Sequence, residues 1–351
     1  MKSFTKEHSM MAKGIAIMLL LFYHLFHEKH VLDDMVVNYA PFSENTFLML
    51  AGFGNICVAI FVFLTAYGIS TGILKENSFD VKKIYSDSGK RFGKLMLNFF
   101  WVYVTMNLVC FPYFNYPSLY GDGKQGVLLM LFDSVGLSPV FDTPILNGTW
   151  WYMKVAYLLI LLVPLMALAV RKLGNVALLL GALLPYAVQM DADLERYFFT
   201  AVLGVVAAYG KWPEKIMNLK IHPVFAWILA VVGSVLCVLI RQNAAVKEYF
   251  WNYADALIAF FIICAVVLTI GKVPVLKVVL QFLGKHSMNI FLCHTFFYMI
   301  VWRNYIYYFK YAAVTFVILL GVSLIYSVLL ELVKSGVVKI LNLLKKKVKK
   351  V

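Results

Sequence analysis

Apolar residues run along the chain in long stretches that are separated by short, lysine-rich connections. Crossing about 30 Å of hydrocarbon takes roughly 20 residues of α-helix, so each stretch of that length predicts one transmembrane helix. A shorter apolar piece over residues 126–137 predicts an interfacial or re-entrant segment. The predicted fold is an all-α, polytopic transmembrane bundle of about ten spans, over residues 10–27, 50–74, 93–112, 150–170, 174–190, 196–212, 223–241, 251–271, 284–302 and 312–333.

The lysines and arginines of the connections predict how the helices are oriented. Of the 32 such residues, 24 lie on the side that holds both termini, 7 lie on the opposite side, and Lys154 lies inside a span. Basic residues accumulate in cytoplasmic loops, so this bias predicts cytoplasmic N- and C-termini. We interpret residues 1–333 as one integral-membrane domain. In residues 334–351 lysines alternate with apolar side chains, which predicts an amphipathic tail on anionic inner-leaflet lipid.

The composition excludes several classes of protein. Hydrophobic residues make up 62% of the chain and charged residues only 14%, with a mean hydropathy of +0.80, which rules out a water-soluble fold and a disordered chain. A net charge of +14 on a soluble protein would indicate nucleic acid, whereas here the charges flank membrane spans and predict the lipid bilayer as partner. The five cysteines lie in or beside apolar runs, and no CxxC or HxxxH spacing occurs. We therefore predict neither a disulfide framework nor a metal site.

His24 is the first candidate for chemistry, because an ionisable group inside a membrane span is costly unless it has a function. Lys13 precedes it by 11 residues, which places both side chains within about 20° of one helical face and about 16 Å apart along the axis. This alignment predicts Lys13 at the cytoplasmic end of a groove and His24 near the middle of the bilayer. The alternative is a histidine that only packs between helices.

Five short segments along the chain contain recognisable motifs, and the order and spacing of these motifs form one pattern. The first is a Lys-x10-His segment from Lys13 to His24. The others are FVFLTAYG at 61–68, RFGK at 91–94, NGTWWY at 147–152 and LGKHSMNIFLCH at 283–294. Together they resemble the signatures of the acyltransferase-3 family of ten-span bacterial membrane O-acyltransferases.

The sequence departs from the family pattern at three of these positions. Thr65 and Ala66 stand where Ser and Gly are usual in the second segment, and Lys94 replaces the second arginine of an Arg-x-x-Arg motif. The resemblance covers the chain nearly from end to end.

The resemblance implies transfer of an acyl group, usually acetyl from acetyl-CoA, to a hydroxyl of a cell-envelope or exported carbohydrate in a bacterial plasma membrane. Lys13, Arg91 and Lys94 are then expected to bind the phosphates of acyl-CoA at the cytoplasmic face. The alternative for Arg91 and Lys94 is that they belong to an ordinary cytoplasmic loop, in which basic residues accumulate. We assign His24 as the general base that removes the proton of the hydroxyl, because imidazole titrates near neutral pH.

His294 lies nine residues after Lys285, about 13 Å into its span, and is expected to share the depth of His24. It is predicted to orient the substrate or to stabilise a developing oxyanion, with packing between helices as the alternative. Asp255 is expected to pair with a histidine or, more simply, with Lys154 near the outer interface. Polar and aromatic candidates for the substrate cavity are Asn55, Tyr67, Trp151, Asp255 and Asn289.

Two rival functions belong to other classes. A proton-coupled transporter or flippase of a glycan-related solute would use His24, Asp255 and His294 as a proton relay. Against it, the sequence has no inverted repeat and no pair of broken helices in corresponding positions. A catalytically silent scaffold would leave the intramembrane histidines without a purpose.

Overall fold

A computed structural model describes residues 3–27, 35–76 and 80–348, and every regular element in these residues is helical. This confirms the all-α prediction. The α-helices, numbered in chain order, are α1 Lys6–Phe26, α2 Glu44–Phe53, α3 Cys57–Leu74, α4 Val81–Cys110, α5 Tyr116–Tyr120, α6 Gly123–Ser134, α7 Tyr152–Leu173, α8 Val176–Ala187, α9 Ala192–Gly210, α10 Trp212–Met217, α11 Pro223–Gln242, α12 Trp251–Leu268, α13 Pro274–Thr295, α14 Arg303–Ile306 and α15 Ala312–Val348.

Seven helical segments of the described chain are long and apolar enough to cross a membrane, so the protein is a multi-pass membrane protein. The other three predicted spans are also helices: α8 has only 12 residues, and α9 and α13 carry charged residues in their first halves. A count of ten spans and cytoplasmic termini therefore stay predictions. The seven segments are Lys6–Phe26, Glu44–Leu74, Val81–Tyr113, Gly148–Leu173, Pro223–Gln242, Val246–Lys272 and Ala312–Leu343.

Two predicted boundaries fall inside helices of the structure. The span predicted over 284–302 is a helix that begins ten residues earlier, at Pro274, because proline is accepted in the first turn and the lysines that follow lie on the helix surface. The boundary expected at residue 334 falls inside α15, which continues to Val348 without a break. Residues 349–351 of the expected tail lie outside the described residues. The short apolar piece forms α6, which is not among the seven segments.

Helices α1 and α13 pack together through two glycines. A Cβ added to Gly14 would lie 2.3 Å from the carbonyl oxygen of Leu280, and one added to Gly284 would lie 1.9 Å from that of Met10. Small residues let membrane helices approach this closely. Ten residues beyond these glycines on each helix, His24 meets His294, so the two helices run in the same direction. The glycine crossing therefore positions the two histidines relative to each other.

Replacing Gly284 with alanine is expected to destabilise the protein by about 1–3 kcal/mol, because the new methyl group must separate two backbones. Gly321→Ala in α15 is the matched control, since nothing lies within 4 Å of its added Cβ. Alanine is the better helix former by up to about 1 kcal/mol, so the control is expected to be neutral or stabilising. Thermal unfolding in detergent measures both changes. Equal shifts in the two variants would contradict the close packing.

Candidate active site

His24 and His294, the two histidines predicted to be catalytic, lie side by side. Their ring centroids are 5.0 Å apart and the ring planes are inclined by 51°. His294 is completely buried, while His24 is half-buried. The structure thus brings together two residues that are 270 positions apart in the sequence.

The hydrogen bonding of His294 determines which of its nitrogens is basic. Nδ1 lies 2.8 Å from the carbonyl oxygen of Phe291, and since a carbonyl only accepts hydrogen bonds, Nδ1 carries the proton. In the neutral ring Nε2 then holds a bare lone pair. Nε2 is buried and has no hydrogen-bond partner among the described residues. A π-helical turn, Phe296–Val301, begins two residues later, and such turns are frequent at functional sites.

His24 lies near the C-terminal end of α1. It belongs to the last turn of this helix, which ends at Phe26. Its expected position near the middle of the bilayer stays a prediction. Lys13, half-buried, lies in the first half of the same helix, about 16 Å away along the axis.

The segment at 147–152 packs directly against the part of α13 that carries His294. The Asn147 side-chain amide donates to Thr295 Oγ1 over 2.7 Å, and Thr149 Oγ1 lies 3.1 Å from the same hydroxyl. The Trp150 indole donates to the carbonyl oxygen of Leu292 over 2.9 Å. These contacts hold the side chain of Thr295 and the backbone of Leu292, on either side of His294.

Trp150, rather than Trp151, is the tryptophan of this segment that supports the histidine pair. Trp150 is completely buried, whereas Trp151 is half-buried and stacks on Tyr197 at 6.2 Å between ring centroids. Adjacent tryptophans point to different sides of their helical turn, and the sequence contains no signal for which side faces α13.

Asp133 is a buried carboxylate that the sequence analysis missed. Its Oδ2 accepts hydrogen bonds from the Tyr120 hydroxyl at 2.6 Å and from the Leu146 backbone N–H at 2.7 Å. Leu146 precedes Asn147, so the carboxylate anchors the segment that contacts α13. Burial raises the pKa of Asp133 to about 6. The sequence signal that could have identified it is an acidic residue inside the short apolar stretch at residues 126–137.

Asp133 is expected to make the protein less stable as the pH rises from about 4 to about 6. The folded state holds the proton up to a pKa of about 6, whereas the unfolded carboxyl releases it near 3.8. The folded state binds more protons than the unfolded state between pH 4 and pH 6. The free energy of unfolding therefore falls by up to about 3 kcal/mol over this range and does not fall further above it. Asp133→Asn should flatten this part of the pH profile of thermal unfolding, while Asp122→Asn, at an exposed position, should not. Identical profiles for both variants would contradict the assignment.

Asp255 pairs with Arg241, not with a histidine or Lys154 as expected. Arg241 Nε and Nη2 donate to the two carboxylate oxygens over 2.8 and 3.1 Å, and both side chains are buried. Arg241 Nη1 also donates to the Phe53 carbonyl oxygen at 3.1 Å. Lys154 instead forms an ion pair with Asp191 at 2.9 Å. The expected pairing was wrong because Arg241, near the C-terminal end of α11, points inward toward Asp255.

A pocket of about 280 Å³ opens beside Arg241 and contacts the end of α1. His27, one helical turn beyond His24, lines it together with Gly52, Lys247 and Trp251. Residues three apart on a helix are neighbours on its surface, so the pocket lies next to the face of α1 that carries His24.

The remaining candidates lie in different parts of the bundle. The Tyr67 hydroxyl donates a hydrogen bond to Glu214 Oε1 at 2.7 Å, so Tyr67 is bonded to α10. Asn55 is half-buried in the 3-10 turn between α2 and α3. Arg91 and Lys94 are exposed in the first half of α4. Asn289 is buried and bonded to α4 and α15.

Comparison with known proteins gives one family match. A family model described as an acyltransferase domain matches residues 11–332. This range contains all five motif segments, the histidine pair and the three basic residues Lys13, Arg91 and Lys94. No curated protein and no solved structure matches the chain.

Proposed function

The chain belongs to the acyltransferase-3 family, and we propose that it is a bacterial plasma-membrane enzyme that moves an acetyl group from acetyl-CoA to a hydroxyl of a cell-surface or exported carbohydrate. The observation that carries this proposal is the contact between His24 and His294, which supplies imidazole nitrogens at one point of the bundle. Imidazole is the side chain best suited to removing a hydroxyl proton near neutral pH.

In the proposed reaction His24 acts as general base. It takes the proton of the acceptor hydroxyl while the hydroxyl oxygen attacks the thioester carbon, so a C–O bond forms. Collapse of the tetrahedral intermediate breaks the C–S bond and expels the thiolate of CoA. The proton then passes from the His24 imidazolium to that sulfur. General-base catalysis of this kind accelerates a reaction by a factor of about 10²–10⁴.

His294 is proposed to orient the carbohydrate acceptor. A ring nitrogen without a hydrogen cannot donate to an oxyanion, so the protonation of Nδ1 favours orientation of the substrate over stabilisation of the oxyanion. The unpartnered Nε2 is suited to accept a hydrogen bond from a second hydroxyl of the carbohydrate, because the single proton of the reacting hydroxyl goes to His24. The pocket at His27, next to the His24 face, supports an approach of the acceptor from that end.

The donor is proposed to bind through its phosphates. Acyl-CoA is polyanionic, and Lys13, Arg91 and Lys94 are the basic residues at motif positions of the family. Lys and Arg form charge-assisted hydrogen bonds with phosphate oxygens, which makes them suitable ligands.

The test is an assay of the purified protein in nanodiscs with radiolabelled acetyl-CoA and a panel of carbohydrates. We expect release of the CoA thiol together with labelled carbohydrate, and loss of both in His24→Ala. The exposed His222→Ala variant is the control and should retain activity. Solute uptake into liposomes driven by a proton gradient, with no CoA chemistry, would overturn the proposal in favour of a transporter.

A further inference from the structure

A closed ring of hydrogen bonds joins α4, α13 and α15. Lys334 Nζ donates to Asn98 Oδ1 at 2.5 Å and to Glu331 Oε1 at 2.8 Å. Asn98 Nδ2 donates to Asn289 Oδ1 at 3.1 Å, and Asn289 Nδ2 donates to Glu331 Oε1 at 2.9 Å. The ring fixes the position of Lys334, whose side chain is only 15% exposed.

The ammonium group of Lys334 keeps a donor for a ligand. An ammonium has three N–H groups, and the ring uses two of them. Glu331 balances its charge within the ring. A lysine that is pre-positioned in this way loses less side-chain entropy on binding an anion than a freely moving surface lysine.

Further positive charge lies on the adjoining face of α4. At 100° per residue, Arg91, Lys94 and Asn98 fall within an arc of about 60°, and Lys94 is one turn before Asn98. Asp87 shares this face, but it is paired with Lys90 at 2.9 Å. Arg91 and Lys94 therefore lie on the face of α4 that carries Asn98, the residue to which Lys334 is bonded.

We propose that Lys334, together with Arg91 and Lys94, binds the phosphates of the nucleotide portion of the acyl donor. This rests on the proposed function, which supplies acyl-CoA as the substrate, and it adds a residue that the sequence assigned to a membrane-surface tail. Asn289 lies five residues before His294 on α13, about 7.5 Å along the axis. The ring and the histidine pair are therefore at different depths, as the phosphates and the thioester of an extended donor must be.

The experiment compares two donors that share the thioester but differ in phosphates: acetyl-CoA and S-acetylpantetheine. For Lys334→Gln we expect the KM for acetyl-CoA to rise about tenfold, while the KM for S-acetylpantetheine stays within about twofold. Lys334→Arg should restore most of the affinity. Lys339→Gln is the matched control, because Lys339 is exposed on the same helix and about 140° away from Lys334 around its axis.

An equal rise in KM for both donors, or no rise for acetyl-CoA, would overturn the phosphate site. If Lys334→Gln does not fold, Lys94→Gln supplies the same comparison from an exposed position. Binding of adenosine 3′,5′-bisphosphate, followed as a thermal shift, separates this proposal from the proposed function. Stabilisation of the wild type but not of Lys334→Gln supports the site even without acetyl transfer, and its absence in the wild type overturns it.

Discussion

Replacing His24 with alanine is expected to lower kcat/KM for acetyl transfer by about 10²–10⁴, and His294→Ala is expected to cause a loss of similar size. The two rings are 5.0 Å apart, and in the proposed mechanism one removes a proton from the acceptor that the other orients. Residues that act as one unit are not additive in their effects on rate. The double variant should therefore be little slower than the slower single variant. Steady-state kinetics of the wild type, the two single variants and the double variant measure this coupling.

Thermal unfolding of the same variants separates catalysis from packing. Removing a buried imidazole leaves a space at the α1–α13 contact, so some loss of stability is expected in His294→Ala. His294→Gln fills more of that space and should unfold closer to the wild type while remaining inactive. Full additivity of the two rate losses would show that the rings act independently of each other, and activity in His24→Ala equal to that of His222→Ala would show that His24 only packs.

Replacing Asp255 with alanine is expected to cost about 3–5 kcal/mol of unfolding free energy, because the Arg241 guanidinium is left buried without its counter-charge. Both side chains are at most 5% exposed, so the guanidinium has little contact with solvent. The paired replacement Arg241→Met with Asp255→Leu removes both charges and should recover most of the loss. Chemical unfolding in detergent measures the free energy of unfolding of the wild type, Asp255→Ala and the paired replacement.

The exposed ion pair between Lys90 and Asp87 is the control for this experiment. Both side chains are about half or more exposed, and such pairs contribute little to stability. Asp87→Ala should therefore be indistinguishable from the wild type. A loss in Asp255→Ala no larger than that in Asp87→Ala would mean that the pair at Arg241 is hydrated and does not hold α11 to α12.

The motif residues were recognisable from the sequence because their spacing is local. Lys13 and His24 lie on one helix, and the segments at 147–152 and 283–294 each read as a unit. The structure joins these units: Asn147 and Trp150 bond to Thr295 and Leu292, the residues around His294, and His294 contacts His24. Each of these contacts connects separate helices, and no periodicity along the chain encodes which helices become neighbours.

The incorrect expectations have the same origin. Asp255 was expected to pair with a histidine or Lys154, whereas its partner is Arg241. Lys334, in the predicted tail, is likewise bonded to a residue of another helix, Asn98. The sequence shows which polar residues lie in apolar stretches, whereas their partners are decided by how the helices rotate and cross.

The amino-acid sequence alone determined that this protein is a helical membrane protein of the acyltransferase-3 family, because hydropathy and motif spacing act along one chain segment at a time. The tertiary structure alone decided the partners. The approach of α1 and α13 at Gly14 and Gly284 brings His24 to His294, and inward-facing side chains pair Asp255 with Arg241 and Lys334 with Asn98. A buried polar group needs a partner within about 3 Å, and only packed helices in three dimensions provide one.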